Sequence, residues 1–256
     1  MEAELSAALW VAVFAAVAVA GLLQGAIGFG FPVIATPVLA MLMDIRTAVV
    51  VTVMPNIITG VVTVFRGGNW GESLGRYWPV AAWTLPGALL GTKLLIYAPA
   101  DWLKLFLALA LFVYLRQEAL NRLDWRAVRE HPRASGAVAG FLGGFLSGSV
   151  NVALPPILVY FSALGLSVIA MSQVMNACFL MARTVQTGAL ALNGQLTQTA
   201  LIASVPLTLL AVAMMALGWR IQDRIDAKTY KRMLRVFLWA MAVGLALQSG
   251  WRLFFA

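Results

Sequence analysis

Charge is what this chain has least of. Asp, Glu, Lys and Arg make up only 11% of its 256 residues, where a soluble domain carries about 25%. With 62% hydrophobic residues and a mean hydropathy of +0.88, the chain reads as an integral membrane protein rather than a soluble one. It has one His and one Cys. An intramembrane serine hydrolase needs a base beside its nucleophile, but His131 sits in a charged stretch next to Pro132. Cys178 lies within an apolar segment and can form no internal disulfide. A metal centre would need several His, Cys or carboxylate ligands. Gly25, Gly28 and Gly30 do not complete a dinucleotide fingerprint after a strand. No enzyme activity, metal or other cofactor is expected.

Buried carboxylates are missing too. Asp44, Glu72, Asp101, Asp124, Asp223 and Asp226 fall near segment ends or in loops, and Glu118 near the end of its helix. The formal net charge of +8 comes from Lys and Arg gathered in short loops. These mark topology, not nucleic-acid binding.

What is present is a succession of apolar runs without the period-two alternation of barrel strands, so helices cross the bilayer. The expected segments are 5–27, 32–43, 46–65, 74–97 and 102–120, then 134–150, 154–164, 167–192, 197–217 and 230–248, divided by a polar link over 121–133. The organisation is residues 1–120, a cytoplasmic link, and residues 134–256, within one membrane domain. The acidic residues Glu2 and Glu4 precede the first run, which is longer than a signal-peptide core, so it is expected to remain as a membrane helix. Trp residues at positions 70, 78, 102, 125, 219 and 251 lie near segment ends, as in an interfacial belt.

Two stretches interrupt the runs. Gly21 to Pro37 holds Gly28, Gly30 and Pro32 within five residues, and Gly136 to Pro156 repeats the theme with Pro155 and Pro156 as the restart. Each is read as a broken helix, because Gly and Pro there end the hydrogen-bond ladder. The short pieces that follow, of 12 and 11 residues, make only about 17–18 Å of helix against roughly 30 Å of hydrocarbon. A half-helix pair and a re-entrant hairpin both fit. Backbone groups freed at such depth cost several kcal/mol each unless something satisfies them, which makes the breaks candidate binding sites.

The halves match in register. Gly21, Gly25 and Gly28 pair with Gly136, Gly140 and Gly143 at an offset of 115, and Thr52 and Asn56 with Ser172 and Asn176 at 120. The basic link (Arg122, Arg126, Arg129, Arg133) and the basic stretch from Arg220 to Arg235 belong in the cytoplasm, while the uncharged loop 193–198 belongs outside. The expected fold is thus an all-α polytopic membrane protein of two inverted-topology repeats, each with a discontinuous Gly/Pro-broken helix, both termini outside. Glycine at this spacing in an apolar helix also allows simple close packing, the alternative reading of such matches and the one expected of Gly87 and Gly91.

At 100° per residue, Thr52, Asn56, Thr59 and Thr63 share one narrow face, as do Ser172, Asn176, Arg183, Gln186 and Thr187 on the matching segment. Arg183 pairs with Thr63, so one half carries a charge the other lacks. Placed near mid-depth, that charge costs at least about 2.5 kcal/mol and needs a partner. A bound anion would serve, as would backbone carbonyls at a break or a snorkel to the outer face. The candidate substrate-binding residues are Arg183, Asn56, Asn176 and Gln186 on the stripes, with Gln24, Gly28, Gly30, Thr36, Ser147, Ser149 and Asn151 at the breaks.

Gly25, Gly28, Gly30 and Pro37, their weaker copy in Gly140, Gly143, Gly144 and Pro156, and the stretch Leu85 to Gly91 together resemble the sulfite exporter TauE/SafE family of bacterial membrane proteins. The second copy departs from the first over Leu146 to Leu154. The resemblance implies a secondary transporter of the bacterial inner membrane that exports small sulfur-containing anions such as sulfite, sulfoacetate or other organosulfonates. The residues themselves speak for an anion and are silent on sulfur. An anion channel, and a membrane scaffold or assembly subunit whose glycine faces dock a partner, are the alternatives. Expected partners are a small anion and the lipid bilayer, no nucleic acid, with a homodimer left open.

Overall fold

A computed structural model describes residues 7–66, 68, 70–116, 125–152, 154–222 and 227–255. Glu2, Glu4, Glu118, Arg122, Asp124, Asp223 and Asp226, on which part of the topology and charge reading rests, lie outside the described residues.

Among the described residues the secondary structure is helical, without strands. The order is α1 (Ala7–Ile27), α2 (Phe31–Leu42), α3 (Ile45–Val51), α4 (Val53–Arg66), a π-helical turn (Gly71–Gly75), α5 (Arg76–Tyr97) and α6 (Ala100–Leu115). It continues with α7 (Arg126–Glu130), α8 (Pro132–Val150), α9 (Leu154–Ala163), α10 (Val168–Leu192), α11 (Gln198–Ile221) and α12 (Ala227–Phe255). Three of these stretches are long and apolar enough to cross a membrane: Ala7–Ile27, Ser73–Tyr97 and Gln198–Ile221, with α3 and α4 together making a fourth if counted as one bent span.

Local chemistry sets the ends. Asp44 accepts from the Arg46 and Thr47 amides to start α3, Ser167 from the Ala170 amide to start α10, and Thr197 from the Ala200 amide to start α11. Each supplies a side-chain acceptor to a first-turn N–H that has no helical partner. The run expected as one helix over 46–65 is two, meeting at Thr52 with a bend of 45°. Pro55 explains the joint: it has no N–H to give the Val51 carbonyl, and its ring crowds that turn. The Thr52 hydroxyl turns back onto the Ala48 and Val49 carbonyls at 2.8 and 3.0 Å, which further loosens the ladder.

Arg46 reaches across to the C-terminus of α5. Its Nε donates to the Leu95 carbonyl at 2.9 Å and its Nη2 to those of Ile96 and Ala98. The last carbonyls of a helix lack intrahelical donors and carry its negative dipole end, so a guanidinium there satisfies both.

Two glycine-lined seams hold the bundle together. α5 lies on α8, where a Cβ at Gly87, Gly91, Gly140, Gly144 or Gly148 would come within 3.0 Å of a carbonyl oxygen on the facing helix. α1 lies on α11 in the same manner, through Gly21, Gly25 and Gly218. Without a hydrophobic drive between helices in lipid, such backbone approach maximises dispersion contact. α10 packs against α5 and α4, α4 against α11, and α6 against α12, where Phe112 and Trp239 meet edge to face at 5.1 Å. The Arg66 guanidinium stacks 4.1 Å over the Trp219 ring, tying the end of α4 to the end of α11. Ser73 of the π-helical turn donates to Gln173 at 2.6 Å, and Gln173 to the Val64 carbonyl at 3.1 Å, fastening α10 to that same end.

Candidate functional site

The chain between α1 and α2 turns on Gly28 and Gly30, with φ of +87° and +126°. A side chain is disfavoured at both angles. At Gly28 a Cβ would also collide with the Ser172 hydroxyl. The Gly28 carbonyl, past the last turn of α1, is met by three donors: Asn176 Nδ2 at 2.7 Å, the Ser172 hydroxyl at 2.8 Å and Gln24 Nε2 at 3.3 Å. Gln24 also accepts from the Phe31 amide at the start of α2 and donates to Asn176 Oδ1 and to the Thr63 hydroxyl, both at 3.1 Å. One buried glutamine thus bridges both sides of the turn and fastens it to α4 and α10.

Between α8 and α9 the turning residue is Asn151, left-handed at φ 64° and wholly buried. Asn tolerates that conformation better than most residues with a side chain. Its Nδ2 donates to the Thr52 hydroxyl at 3.3 Å, at the bend between α3 and α4. Its Oδ1 accepts from Arg183 Nη1 and from Gln186 Nε2, and its carbonyl from Arg183 Nη2 at 3.4 Å. Gln186 accepts from Arg183 and donates to the Gly148 and Ser147 carbonyls at 2.8 and 3.3 Å, satisfying the end of α8.

Arg183 therefore spends its donors on amide and carbonyl oxygens. It is 2% exposed and makes no ion pair among the described residues. Of the partners open to it from sequence, the backbone at a break is one that the structure uses, through the Asn151 carbonyl. All of these acceptors are neutral, so its charge is solvated by dipoles but not cancelled.

Beside the first turn, among α1, α2, α4 and α10, lies a cavity of about 10 Å³, close to the least that holds one water. Arg183, Asn56, Thr59, Asn176 and Gln24 give it polar atoms, and Phe31, Pro32, Gly60, Phe179 and Leu180 its apolar wall. Asn56 is 8% exposed and its Nδ2 has no partner. Burying a donor unpaired costs about 1–3 kcal/mol, and Asn56 is one of the residues that line the cavity. Asn176, its counterpart in register, commits Nδ2 to the Gly28 and Ser172 carbonyls.

Of the residues singled out from sequence, Gln24, Asn56, Asn176 and Arg183 line this cavity. Gly28, Asn151, Gln186 and the Ser147 carbonyl belong to the hydrogen-bond networks around it, and Gly30 caps α2. Thr36 is buried in α2 with an unpartnered hydroxyl and is not among the lining residues. Ser149 bonds the Phe145 carbonyl of its own helix at 2.7 Å. Thr59, Phe31 and Phe179 were not singled out as site residues. Thr59 was visible on the polar stripe, whereas apolar wall residues leave no mark in a sequence rich in them.

The two asparagines should separate by experiment. Asn176→Ala is expected to cost about 1–3 kcal/mol, because it withdraws a donor from buried Gly28 and an acceptor from Gln24. Asn56→Ala, with no bond from Nδ2 to lose, should leave stability within about 1 kcal/mol and instead weaken any anion. Thermal unfolding in detergent, with and without anion, reads both.

The family model described as Sulfite exporter TauE/SafE matches residues 13–245, nearly the whole chain. No curated protein and no solved structure matches it.

Proposed function

The chain belongs to the sulfite exporter TauE/SafE family of membrane transporters, and from that premise we propose that it is a secondary transporter exporting small sulfur-containing anions across the bacterial inner membrane. The anion sits between the two interrupted helices, held by Arg183 and Asn56. The observation that carries this reading is an arginine buried beside a cavity with neutral partners only, next to an amide donor with none. A buried cation and a spare donor are what an anion would satisfy.

The proposed architecture is two inverted repeats, each with a discontinuous Gly/Pro-broken helix. In its support, contacts come in pairs that an in-plane two-fold would exchange: α1 with α11 and α5 with α8, and α4 with α11 and α10 with α5. Ser172 reaches the turn at Gly28, and its register partner Thr52 is reached by the turn at Asn151. Both termini are placed outside, with the Arg126 to Arg133 link in the cytoplasm. Membrane potential then favours a leaving monovalent anion by about 2.3 kcal/mol per 100 mV.

At about 10 Å³ the cavity is too small for a sulfonate. Loading requires Arg183 to exchange Asn151 or Gln186 for the anion, and the surrounding helices to part. Proteoliposomes at clamped potential test the reading. Saturable uptake of sulfite or a small sulfonate, accelerated by anion on the opposite side, is expected for the parent, falling at least about 100-fold in Arg183→Gln, since loss of a buried charge partner costs about 3–5 kcal/mol. Flux that does not saturate would mean a channel. Equal flux in parent and variant would remove Arg183 from the site.

A further inference from the structure

We propose that this cavity selects singly charged anions over doubly charged ones of the same size; the inference rests on the anion-transport reading above. Among the sulfur anions considered, it favours bisulfite over the sulfite dianion, and a simple monosulfonate over sulfoacetate, whose carboxylate adds a second charge.

The charges on the page give the reason. Among the described residues Arg183 is the one charged side chain lining the cavity. The unpartnered donor among the lining residues is the neutral Asn56 amide, and the other amide nitrogens are committed: Gln24 Nε2 to Gly28, Thr63 and Asn176, and Asn176 Nδ2 to Gly28 and Ser172. Across from them stand Phe31, Pro32, Phe179 and Leu180, which offer a second charge nothing. A monoanion beside Arg183 makes a pair of zero net charge. A dianion leaves one negative charge with no counter-charge among the described lining residues, and desolvating that charge outweighs its attraction.

The same count places the voltage dependence. A loaded site is neutral and an empty one carries the charge of Arg183, so the membrane potential acts on the return of the empty site. Exchange of anion for anion is then insensitive to potential, while net flux is not.

Isethionate and sulfoacetate form a suitable pair, close in size but carrying one and two negative charges at neutral pH. Their competition against labelled methanesulfonate flux is measured in proteoliposomes at zero potential and constant ionic strength. Sulfoacetate is expected to need at least about 100-fold more than isethionate for half-inhibition. Inhibition by sulfite should strengthen as pH falls through its second ionisation, while isethionate inhibition stays flat. Half-inhibition by the two anions within about threefold of each other overturns the proposal, although saturable flux would leave the transport reading in place. Should methanesulfonate not be moved at all, protection of the purified protein against thermal unfolding is read with the same pair. The same ranking there upholds charge selection and removes only transport; protection by neither anion overturns both.

Discussion

Asn56→Asp is expected to silence anion flux while leaving the protein folded. The carboxylate enters the cavity that Arg183 lines and supplies the negative charge that the described residues do not. Opposite charges about 4 Å apart attract by about 4 kcal/mol at an effective dielectric near 20, against a burial cost of several kcal/mol for the carboxylate. The two nearly cancel, so the unfolding temperature should stay within a few degrees of the parent or rise. An anion, in contrast, now meets a site with no net charge. Its stabilising effect should vanish, and flux should fall to the level of empty vesicles. Asn56→Ala removes one hydrogen bond to a charged ligand, about 1.5–3 kcal/mol, or roughly ten- to hundredfold in affinity. The contrast between the two variants isolates charge from hydrogen bonding. If anion still protects Asn56→Asp as it protects the parent, the charge of Arg183 is not what holds it.

Gly144→Leu is expected to prevent folding altogether. A Cβ at Gly144 would lie within 3.0 Å of the Thr84 carbonyl oxygen, and backbone on a packed helix has nowhere to go. The seam must open along its length, because Gly87, Gly91, Gly140 and Gly148 are equally tight. Overpacking commonly costs about 1–3 kcal/mol even where side chains can shift, and here they cannot relieve it. Measured against a total stability of about 5–15 kcal/mol, that loss together with the lost packing is large. Gly188 on α10 meets nothing within 4 Å of its Cβ direction, so Gly188→Leu serves as control and should keep the parent's unfolding temperature. Size-exclusion chromatography in detergent distinguishes them: a single peak for the control, aggregate for Gly144→Leu. A monodisperse, anion-responsive Gly144→Leu would mean that the seam is not closed in the working protein.

The helices themselves were easy to read from sequence, because a membrane segment is a long local pattern. α2 starts one residue before the expected Pro32, α8 and α9 end or begin at Val150 and Leu154 as expected, and α10 runs from Val168 rather than Ser167 to Leu192. The bend at Thr52 was carried by Pro55, whose missing N–H is a local signal, yet the apolar run around it reads as continuous. The π-helical turn at Gly71–Gly75 left no periodic mark in so short a stretch. The polar stripes were legible because period alone puts Asn56, Asn176 and Arg183 on inward faces. Which of them keeps a donor unspent was not. That depends on the Gly28 carbonyl lying beside Asn176, and on Asn151 reaching Arg183 from 32 residues away. Pairings of this kind are set by how helices cross, and one sequence holds no record of crossing.

The seam between α1 and α11 has a consequence for how the protein is made. Gly21 and the backbone it touches at Ala211 are about 190 residues apart. Synthesis at about 5–20 residues per second separates their appearance by roughly 10 to 40 s. Through that interval α1 sits in the bilayer with its glycine face against lipid, and α5 likewise waits for α8. A ribosome that stalls before Gln198 leaves behind inserted helices with bare backbone seams, the kind of surface that pairs with the wrong neighbour or is taken by quality-control proteases. The seam closes late on a helix made early, and α1 finds its place only once α11 has been inserted.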